Sequence, residues 1–291
     1  MAVILITGAN GQLGNELRNL SDHFYGYDFT FTDIDTLDIT NTLAVKDFIK
    51  TSNPNWIVNC AAYNQVDKAE SEPEATMLIN SVAVKNIAEA IKGSDCKFIH
   101  LSTDYVYGGT SNIPCSENVI PNPQCVYAAS KLDGETQALL FTGSMVIRTS
   151  WLYSSYGHNF VKTILKNGAE KEFLKVVFDQ TGTPTYAADL AQAIMKIISG
   201  VIRNQFAFKA GRYNYSNEGV CSWFDFATEI IKEAGLKCHV LPVTSKDFIQ
   251  AAKRPSYSVM DKTKIKEDFD ITIPHWRTSL IECIKLINAK G

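Results

Sequence analysis

The sequence predicts an α/β protein, in which a doubly wound parallel sheet is followed by a smaller carboxy-terminal lobe that binds substrate. Three observations support this fold class. Short apolar runs alternate with segments of helical periodicity across residues 1–150. A glycine-rich turn follows the first apolar run. The length of 291 residues is enough for one sizeable core with a smaller lobe attached.

The chain begins with a strand and a turn that suit a dinucleotide. Residues 3–6 are all apolar, as expected for a strand that is covered on both faces of a parallel sheet. The glycines that follow permit a tight turn, a close approach of a pyrophosphate and a helix whose N-terminus faces the phosphates. This order of elements is typical of a Rossmann fold, although the spacing is Gly-x-x-Gly-x-x-Gly. The candidate cofactor-binding residues in this turn are Gly8, Asn10, Gly11, Gln12 and Leu13.

A second strand, predicted around residues 29–34, ends in acidic side chains. An aspartate at this point can accept hydrogen bonds from an adenosine ribose, so Asp33 is a candidate cofactor contact. Together with Asp35 it would repel a 2′-phosphate, which favours NADH slightly over NADPH. Asp38 and Ile39 are candidates for the adenine end of the site, although a helix N-cap explains the polar residues here equally well.

The third strand is predicted at residues 56–60 and leads into small side chains. Ala61 and Ala62 would let the chain pass close to a flat ligand, and Tyr63 completes the candidate cofactor-binding set. From residue 74 to 91 apolar residues recur at helical spacing, which predicts the next crossover helix.

The fourth strand and the helix after it carry the candidate catalytic residues. The strand over residues 97–101 presents Thr103 at its carboxyl end, where open parallel sheets bind their ligands. After a loop, a helix holds Tyr127 and Lys131, which lie one helical turn apart. The ammonium group is expected to lower the cost of ionising the phenol. We therefore assign Tyr127 as general acid, Lys131 as its electrostatic partner and ribose anchor, and Thr103 as a hydrogen-bond donor to the same substrate oxygen.

The strict alternation of strands and helices ends after a fifth strand at residues 145–147. The predicted division is a dinucleotide-binding domain at residues 1–150 and a substrate-binding lobe at residues 151–291. Segments near residues 186–217 are expected to return to the first domain as a last helix and strand.

Composition excludes several classes of partner. The net charge of -3 and the absence of a basic cluster argue against nucleic acid. No apolar run is long enough to predict a membrane span, and no export signal is recognised, so the expected location is the cytoplasm. The seven cysteines form no Cys-x-x-Cys and the five histidines are scattered, so no metal site is predicted.

These motifs resemble the extended short-chain dehydrogenase/reductases and, within them, the dTDP-4-dehydrorhamnose reductase family. The similarity covers nearly the whole chain and is far more specific than the glycines. The segments that carry it are residues 58–63 (Val-Asn-Cys-Ala-Ala-Tyr), 66–70 (Val-Asp-Lys-Ala-Glu), 102–107 (Ser-Thr-Asp-Tyr-Val-Tyr), 148–153 (Arg-Thr-Ser-Trp-Leu-Tyr), 157–160 (Gly-His-Asn-Phe), 179–180 (Asp-Gln) and 253–255 (Lys-Arg-Pro) with Ser258.

The resemblance implies reduction of the C4 ketone of dTDP-4-dehydro-β-L-rhamnose to dTDP-L-rhamnose, with NADPH or NADH as hydride donor. Thr103, Tyr127 and Lys131 would be the catalytic triad. A nucleotide sugar is the implied small-molecule partner, and a homodimer is the one assembly that the family suggests. Some members use Mg²⁺ at a dimer contact, but the sequence offers no place for it. The residues implied to contact the substrate are Asp104, Tyr105 and Trp151 at the sugar and Arg254 at the diphosphate.

Three other functions share parts of this pattern. A dehydratase would have an Asp-Glu pair after Thr103, whereas here Asp104 is followed by Tyr105. An epimerase can use the same three catalytic residues with a retained NAD. A non-catalytic subunit, like the regulatory subunit of methionine adenosyltransferase, would keep the fold while serving a partner enzyme. The intact triad favours catalysis over this last alternative.

Overall fold

A computed structural model describes residues 1–248 and 250–290, so that residues 249 and 291 of the predicted lobe lie outside the described part. Its strands are β1 (Ala2–Thr7), β2 (Tyr27–Thr32), β3 (Trp56–Asn59), β4 (Lys97–Thr103), β5 (Ser144–Thr149), β6 (Leu152–Tyr153), β7 (Phe173–Val177), β8 (Thr181–Gly182), β9 (Thr185–Tyr186), β10 (Gly211–Asn214), β11 (Cys221–Ser222) and β12 (His239–Val243). Its α-helices are α1 (Gln12–Ser21), α2 (Thr42–Ser52), α3 (Val66–Ala69), α4 (Pro73–Met77), α5 (Ala83–Ala90), α6 (Val126–Leu139), α7 (Phe160–Glu170), α8 (Ala187–Ile202), α9 (Trp223–Glu233), α10 (Thr263–Phe269) and α11 (Trp276–Lys290).

Six strands form a parallel sheet in the order β10-β5-β4-β3-β1-β2. The predicted α/β fold with a doubly wound parallel sheet is therefore confirmed. The register pairs Thr7 with Asn59 and Thr103 with Thr149, so these four residues end their strands at one edge. This carboxyl edge is where the loops that bind ligands are expected to converge.

The side chains of β1 alternate between two cores. Ile4 and Ile6 pack with α1 and α8 on one face of the sheet, whereas Leu5 packs with α2 and α5 on the other. This alternation explains why the strand is apolar throughout, since both of its faces are covered. Strand β10 lies beside β5. Residues 265–273, which the sequence assigns to the lobe, contribute four apolar side chains to the α1 and α8 core.

A separate apolar core supports the part of the chain that faces the carboxyl edge. Helices α7, α9 and α11 pack around Phe226, which is fully buried. Its ring lies 5.5 Å from that of Tyr153, 5.7 Å from that of Phe160 and 5.7 Å from that of Trp276. Two-stranded pairs, β7 with β12 and β8 with β11, extend this lobe.

The helix predicted over residues 74–91 is interrupted by a π-helical turn, Leu78–Val82, between α4 and α5. The turn holds a buried asparagine, Asn80, whose side chain accepts a hydrogen bond from the backbone of Tyr63 and donates one back to its carbonyl. On α6, Gly134 lets this turn approach, because a Cβ atom there would lie 2.0 Å from the carbonyl oxygen of Asn80. The π turn thus joins the loop after β3 to the helix that carries Tyr127.

Among residues 1–248 and 250–290, none of the helices combines the length and the apolarity needed to cross a bilayer.

Candidate active site

A cavity of about 1780 Å³ lies at the carboxyl edge of the sheet and brings the predicted site residues together. With one exception, every residue assigned from the sequence to catalysis, cofactor or substrate lines it. The exception is Tyr63, whose hydroxyl donates to Glu72 at 2.7 Å. The side chain of Tyr63 is therefore engaged beside this cavity and not within it.

The glycine turn lies against the end of β3 at a distance that excludes side chains. Gly8 has a φ of 66°, and a Cβ atom there would lie 2.5 Å from the amide nitrogen of Ala61. A Cβ atom at Gly14 would lie 2.5 Å from the Cα of Ala9. Gly11 is the N-cap of α1 and supplies no capping side chain, so the first amides of the helix remain available to an anion. The turn therefore fits the pyrophosphate of a dinucleotide.

The acidic end of β2 is fixed beside this turn. The carboxylate of Asp33 accepts hydrogen bonds from the amides of Asn10 at 2.8 Å and Ile34 at 2.9 Å. Asp38 accepts from the amide and the hydroxyl of Thr40, while Asn41 is the N-cap of α2. Both predicted features are therefore present: an N-cap and acidic side chains in the cavity wall.

The three candidate catalytic residues occupy one wall of the cavity. Thr103 ends β4 and is 5% exposed, while Lys131 lies on α6 and is 2% exposed. The ring of Tyr127 meets that of Tyr105 edge-on, with centroids 5.7 Å apart. Burial raises the pKa of the Tyr127 phenol above its usual range, and the Thr103 side chain opposes this rise. Tyr127 is consequently a protonated phenol throughout the neutral range.

The electrostatic pairing expected from the sequence differs from the one in the structure. The ammonium group of Lys131 donates to the carbonyl oxygen of Leu101 at 2.6 Å, and the pKa of Tyr127 is raised and not lowered. Burial lowers the pKa of Lys131 to about 8, with the negative charge of Glu135 acting in the opposite direction. The four-residue spacing determines which helix face both residues share, but it does not determine where a flexible ammonium group points. A protonated phenol beside a charged lysine still suits proton donation.

Asp104 is a buried carboxyl group next to the catalytic residues. It is 1% exposed, and its Oδ1 accepts a hydrogen bond from the hydroxyl of Thr103 at 3.1 Å. The side chain of Ser258 also lies close enough to stabilise the charged form of this carboxyl. Burial raises the pKa of this carboxyl to about 7. Asp104 is therefore a buried acid that changes protonation near neutral pH.

Trp151 is held at the cavity in a strained backbone conformation. Its φ is 48°, which is uncommon for a bulky side chain. The indole stacks on that of Trp223 with centroids 3.6 Å apart, and Gly182 makes room for it, since a Cβ atom there would lie 2.8 Å from the ring. Sequence reasoning missed Trp223 as a site residue. Its only signal was an aromatic residue at the start of a helix, which a core position explains equally well.

Arg254 lies in the cavity wall, but its guanidinium already has a partner. It forms two hydrogen bonds with the carboxylate of Asp67, at 3.0 and 2.7 Å. Asp67 also accepts from the amide of Ala252 at 3.1 Å. The Arg254–Asp67 ion pair therefore connects the start of α3 to the segment just before Tyr257, and Tyr257 in turn forms an isolated β-bridge with Thr181. A substrate diphosphate at Arg254 would therefore have to share or displace Asp67.

Comparisons with known proteins show the family of the chain. The sequence model of the family described as "RmlD substrate binding domain" matches residues 1–288. A dTDP-4-dehydrorhamnose reductase of Aggregatibacter actinomycetemcomitans is 39% identical over 287 residues, which cover 96% of this chain and 97% of that protein.

Two solved structures superpose closely on the chain. The dTDP-4-dehydrorhamnose reductase of Clostridium acetobutylicum has a TM-score of 0.91 and 40% identity, covering 98% of this chain and 99% of that one. The dTDP-4-dehydrorhamnose reductase of Bacillus anthracis, in complex with NADP, has a TM-score of 0.91 and 38% identity, covering 98% and 100%. The resemblance read from the sequence motifs is thus confirmed over the full length, and the chain belongs to the RmlD substrate binding domain family, that of the dTDP-4-dehydrorhamnose reductases.

Proposed function

We propose that this protein is a reductase that uses NADPH or NADH to reduce the C4 ketone of dTDP-4-dehydro-β-L-rhamnose to dTDP-L-rhamnose. One observation carries the proposal. Thr103, Tyr127 and Lys131 line the same cavity as the glycine turn of residues 8–14, so a hydride donor and a proton donor can meet at one substrate carbon and oxygen. The names of the relatives and the NADP bound by the Bacillus anthracis reductase support the substrate and the cofactor.

The residues of the turn and of the neighbouring strand ends fit a dinucleotide. The amides at the start of α1 would hold the pyrophosphate, and Asp33 would accept hydrogen bonds from the adenosine ribose. Ala61 and Ala62 line the cavity with small side chains, which suits the close approach of a flat ligand. The nicotinamide, when bound, supplies the hydride. Lys131, buried at the end of the catalytic wall, would anchor the ribose next to that ring.

Tyr127 acts as the proton donor in this proposal. As a hydride adds to C4, negative charge develops on O4, and a protonated phenol in contact with that oxygen can transfer its proton to it. The hydroxyl of Thr103 would donate a hydrogen bond to the same oxygen, while the ammonium group of Lys131 stabilises the negative charge that passes to the phenol. The balance is one hydride to carbon and one proton to oxygen, and the nicotinamide is oxidised.

The remaining walls suit a sugar. Trp151, held by its stack on Trp223, offers an aromatic face, and the buried carboxyl of Asp104 lines the same cavity. Arg254 lies where it could bind a diphosphate oxygen in exchange for Asp67. In this proposal the reactive carbon lies near Tyr127 and the diphosphate lies near Arg254.

The proposal is tested by following the absorbance of NADPH and of NADH during incubation with dTDP-4-dehydro-L-rhamnose, generated in place by the preceding enzymes. We expect oxidation of the cofactor in a one-to-one ratio with formation of dTDP-L-rhamnose. An epimerase with retained NAD would give no net oxidation and a changed ketosugar. A non-catalytic subunit would give no oxidation with either cofactor, and either result would contradict the proposal.

Cofactor preference provides a prediction for Asp33. The carboxylate lies beside Asn10 in the cavity wall, so it would repel a 2′-phosphate. A like-charge contact at about 4 Å costs about 1 kcal/mol in water, so Asp33→Asn is expected to raise the NADPH-to-NADH ratio of kcat/KM by about fivefold. Asp28→Asn, at the exposed opposite end of β2, is the matched control and should leave the ratio unchanged. An equal ratio for Asp33→Asn and the unmodified protein would remove Asp33 from cofactor discrimination.

A further inference from the structure

A buried carboxylate lies directly behind the catalytic wall. Glu135 on α6 has a fully buried side chain and accepts a hydrogen bond from Ser102 at 2.6 Å. Both of its oxygens also bind Arg148, at 2.8 and 2.7 Å, and the second oxygen binds Arg212 at 3.1 Å. Two arginines and a serine therefore hold this carboxylate in one orientation. Glu135 belongs to none of the sequence motifs that predicted the site.

The position of Glu135 connects the two elements that carry the catalytic residues. On α6, Tyr127, Lys131 and Glu135 follow one another at intervals of four residues, so they share one helix face. On β4, the hydrogen-bonded Ser102 immediately precedes Thr103. The carboxylate of Glu135 thus connects α6, which carries Tyr127, to the end of β4, which carries Thr103.

The negative charge of Glu135, one helical turn from Lys131 on the same face of α6, raises the pKa of that ammonium group, although burial lowers it by more. Cys60 approaches from the end of β3, but burial raises the pKa of that thiol to about 12, so it is neutral. His100 approaches from β4, and burial lowers the pKa of its imidazole well below the usual value, so it is also neutral. Arg148 on β5 is cationic, and its guanidinium lies 2.7 Å from the carboxylate of Glu135. Among the groups that act on Lys131 in the described part of the chain, Glu135 is the anion.

We propose that Glu135 is a positioning residue for the reduction, which keeps the side chain of Lys131 in its ammonium form and holds α6 in register with the end of β4. This inference rests on the proposed reductase activity, since it assigns a role within that reaction. It does not make Glu135 a catalytic residue, because its carboxylate is bonded to Ser102 and the arginines and does not line the cavity.

The test is the pH dependence of kcat/KM for NADPH in the unmodified protein and in E135Q. The ammonium form of Lys131 is the active one, so activity is lost as the pH rises through its pKa of about 8. Removing the negative charge of Glu135 lowers that pKa further. The alkaline limb of the pH profile, where kcat/KM falls as the pH rises, should therefore move to lower pH by about one unit. At the original midpoint the ammonium fraction of Lys131 then falls from a half to about one eleventh, which corresponds to a loss of roughly fivefold in kcat/KM relative to the unmodified protein. The KM for NADPH should rise as well, because Lys131 anchors the ribose.

Two variants separate this role from a merely structural one. E135D retains the charge and is expected to keep the alkaline limb in place even if kcat falls. R212Q removes a half-exposed cation that contacts the same carboxylate and should also leave the limb unmoved. If E135Q does not fold, the double variant E135Q/R148M is measured in its place. It should move the limb to lower pH by less than one unit, because the loss of the Arg148 cation offsets part of the loss of the Glu135 charge, and an unmoved limb would overturn the inference.

The possible outcomes are distinct. A uniform loss of rate in E135Q with an unmoved alkaline limb would overturn the inference and leave Glu135 a structural residue. A shifted limb that E135D restores would support it. No cofactor oxidation by the unmodified protein would be a failure of the proposed function itself, and it would be seen before any variant is compared.

Discussion

Replacing Tyr127 by Phe is expected to lower kcat by roughly 10² to 10⁴ while the affinity for NADPH stays nearly constant. The substitution removes the phenolic proton but keeps the ring, which packs edge-on against Tyr105. Since burial raises the pKa of this phenol, the hydroxyl is protonated at neutral pH and can donate its proton to a substrate oxygen in the cavity. The measurement is steady-state kcat together with cofactor binding followed by fluorescence.

The matched control for this variant is Tyr63→Phe. It also removes one phenolic hydroxyl, but that hydroxyl donates to Glu72 and its side chain does not line the cavity. We expect kcat of Tyr63→Phe to stay within about threefold of the unmodified protein. A Tyr127→Phe variant that is equally active would remove Tyr127 from the role of general acid.

Replacing Arg148 by Met is expected to lower the free energy of unfolding by roughly 3 to 5 kcal/mol. Both side chains of the Arg148–Glu135 pair are 0% exposed, and the guanidinium lies 4.8 Å from the ring centre of Tyr107. Without Arg148, the buried carboxylate loses its bidentate partner and keeps the weaker contact with the half-exposed Arg212. Urea denaturation of Arg148→Met and of the unmodified protein measures the difference.

The exposed pair of Lys85 and Glu89 provides the control for this stability change. Their side chains are 52% and 49% exposed, so Lys85→Met should change the free energy of unfolding by less than about 0.5 kcal/mol. The double variant Arg148→Met/Glu135→Gln should recover part of the loss, because it removes the unpaired charge as well. A loss below about 1 kcal/mol in Arg148→Met would contradict the view that this pair is a strongly coupled buried unit.

The part of the fold that follows from local pattern could be predicted from the sequence. The apolar run at residues 3–6 predicted a strand covered on both faces, and Ile4 and Leu5 do pack into opposite cores. The glycine spacing predicted a tight turn, and Gly8 does adopt a φ of 66°, with no room for a Cβ atom beside the backbone of Ala61. Both inferences needed only the periods of strands and helices and the space requirement of a side chain.

The features that were missed depend on contacts between distant segments. Trp223 reaches the cavity because it stacks on Trp151, and Asp67 reaches it because Arg254 bonds to it. Nothing in the spacing of these residues encodes either contact. The direction of the Lys131 ammonium group was likewise set by the carbonyl of Leu101, which no helix pattern reveals. The π turn after α4 accommodates a buried asparagine, and the sequence there shows only a continuous helical period.

The most direct test of the proposed function is to follow a labelled hydride. NADPH that carries deuterium at the transferred position of C4 of the nicotinamide is incubated with the enzyme and dTDP-4-dehydro-L-rhamnose, and the product is analysed by nuclear magnetic resonance. We expect one deuterium at C4 of the rhamnose ring for each cofactor oxidised, with Tyr127→Phe forming the same labelled product more slowly. Deuterium that stays in the cofactor, or that is found at another carbon of the sugar, would contradict direct hydride transfer to the C4 ketone.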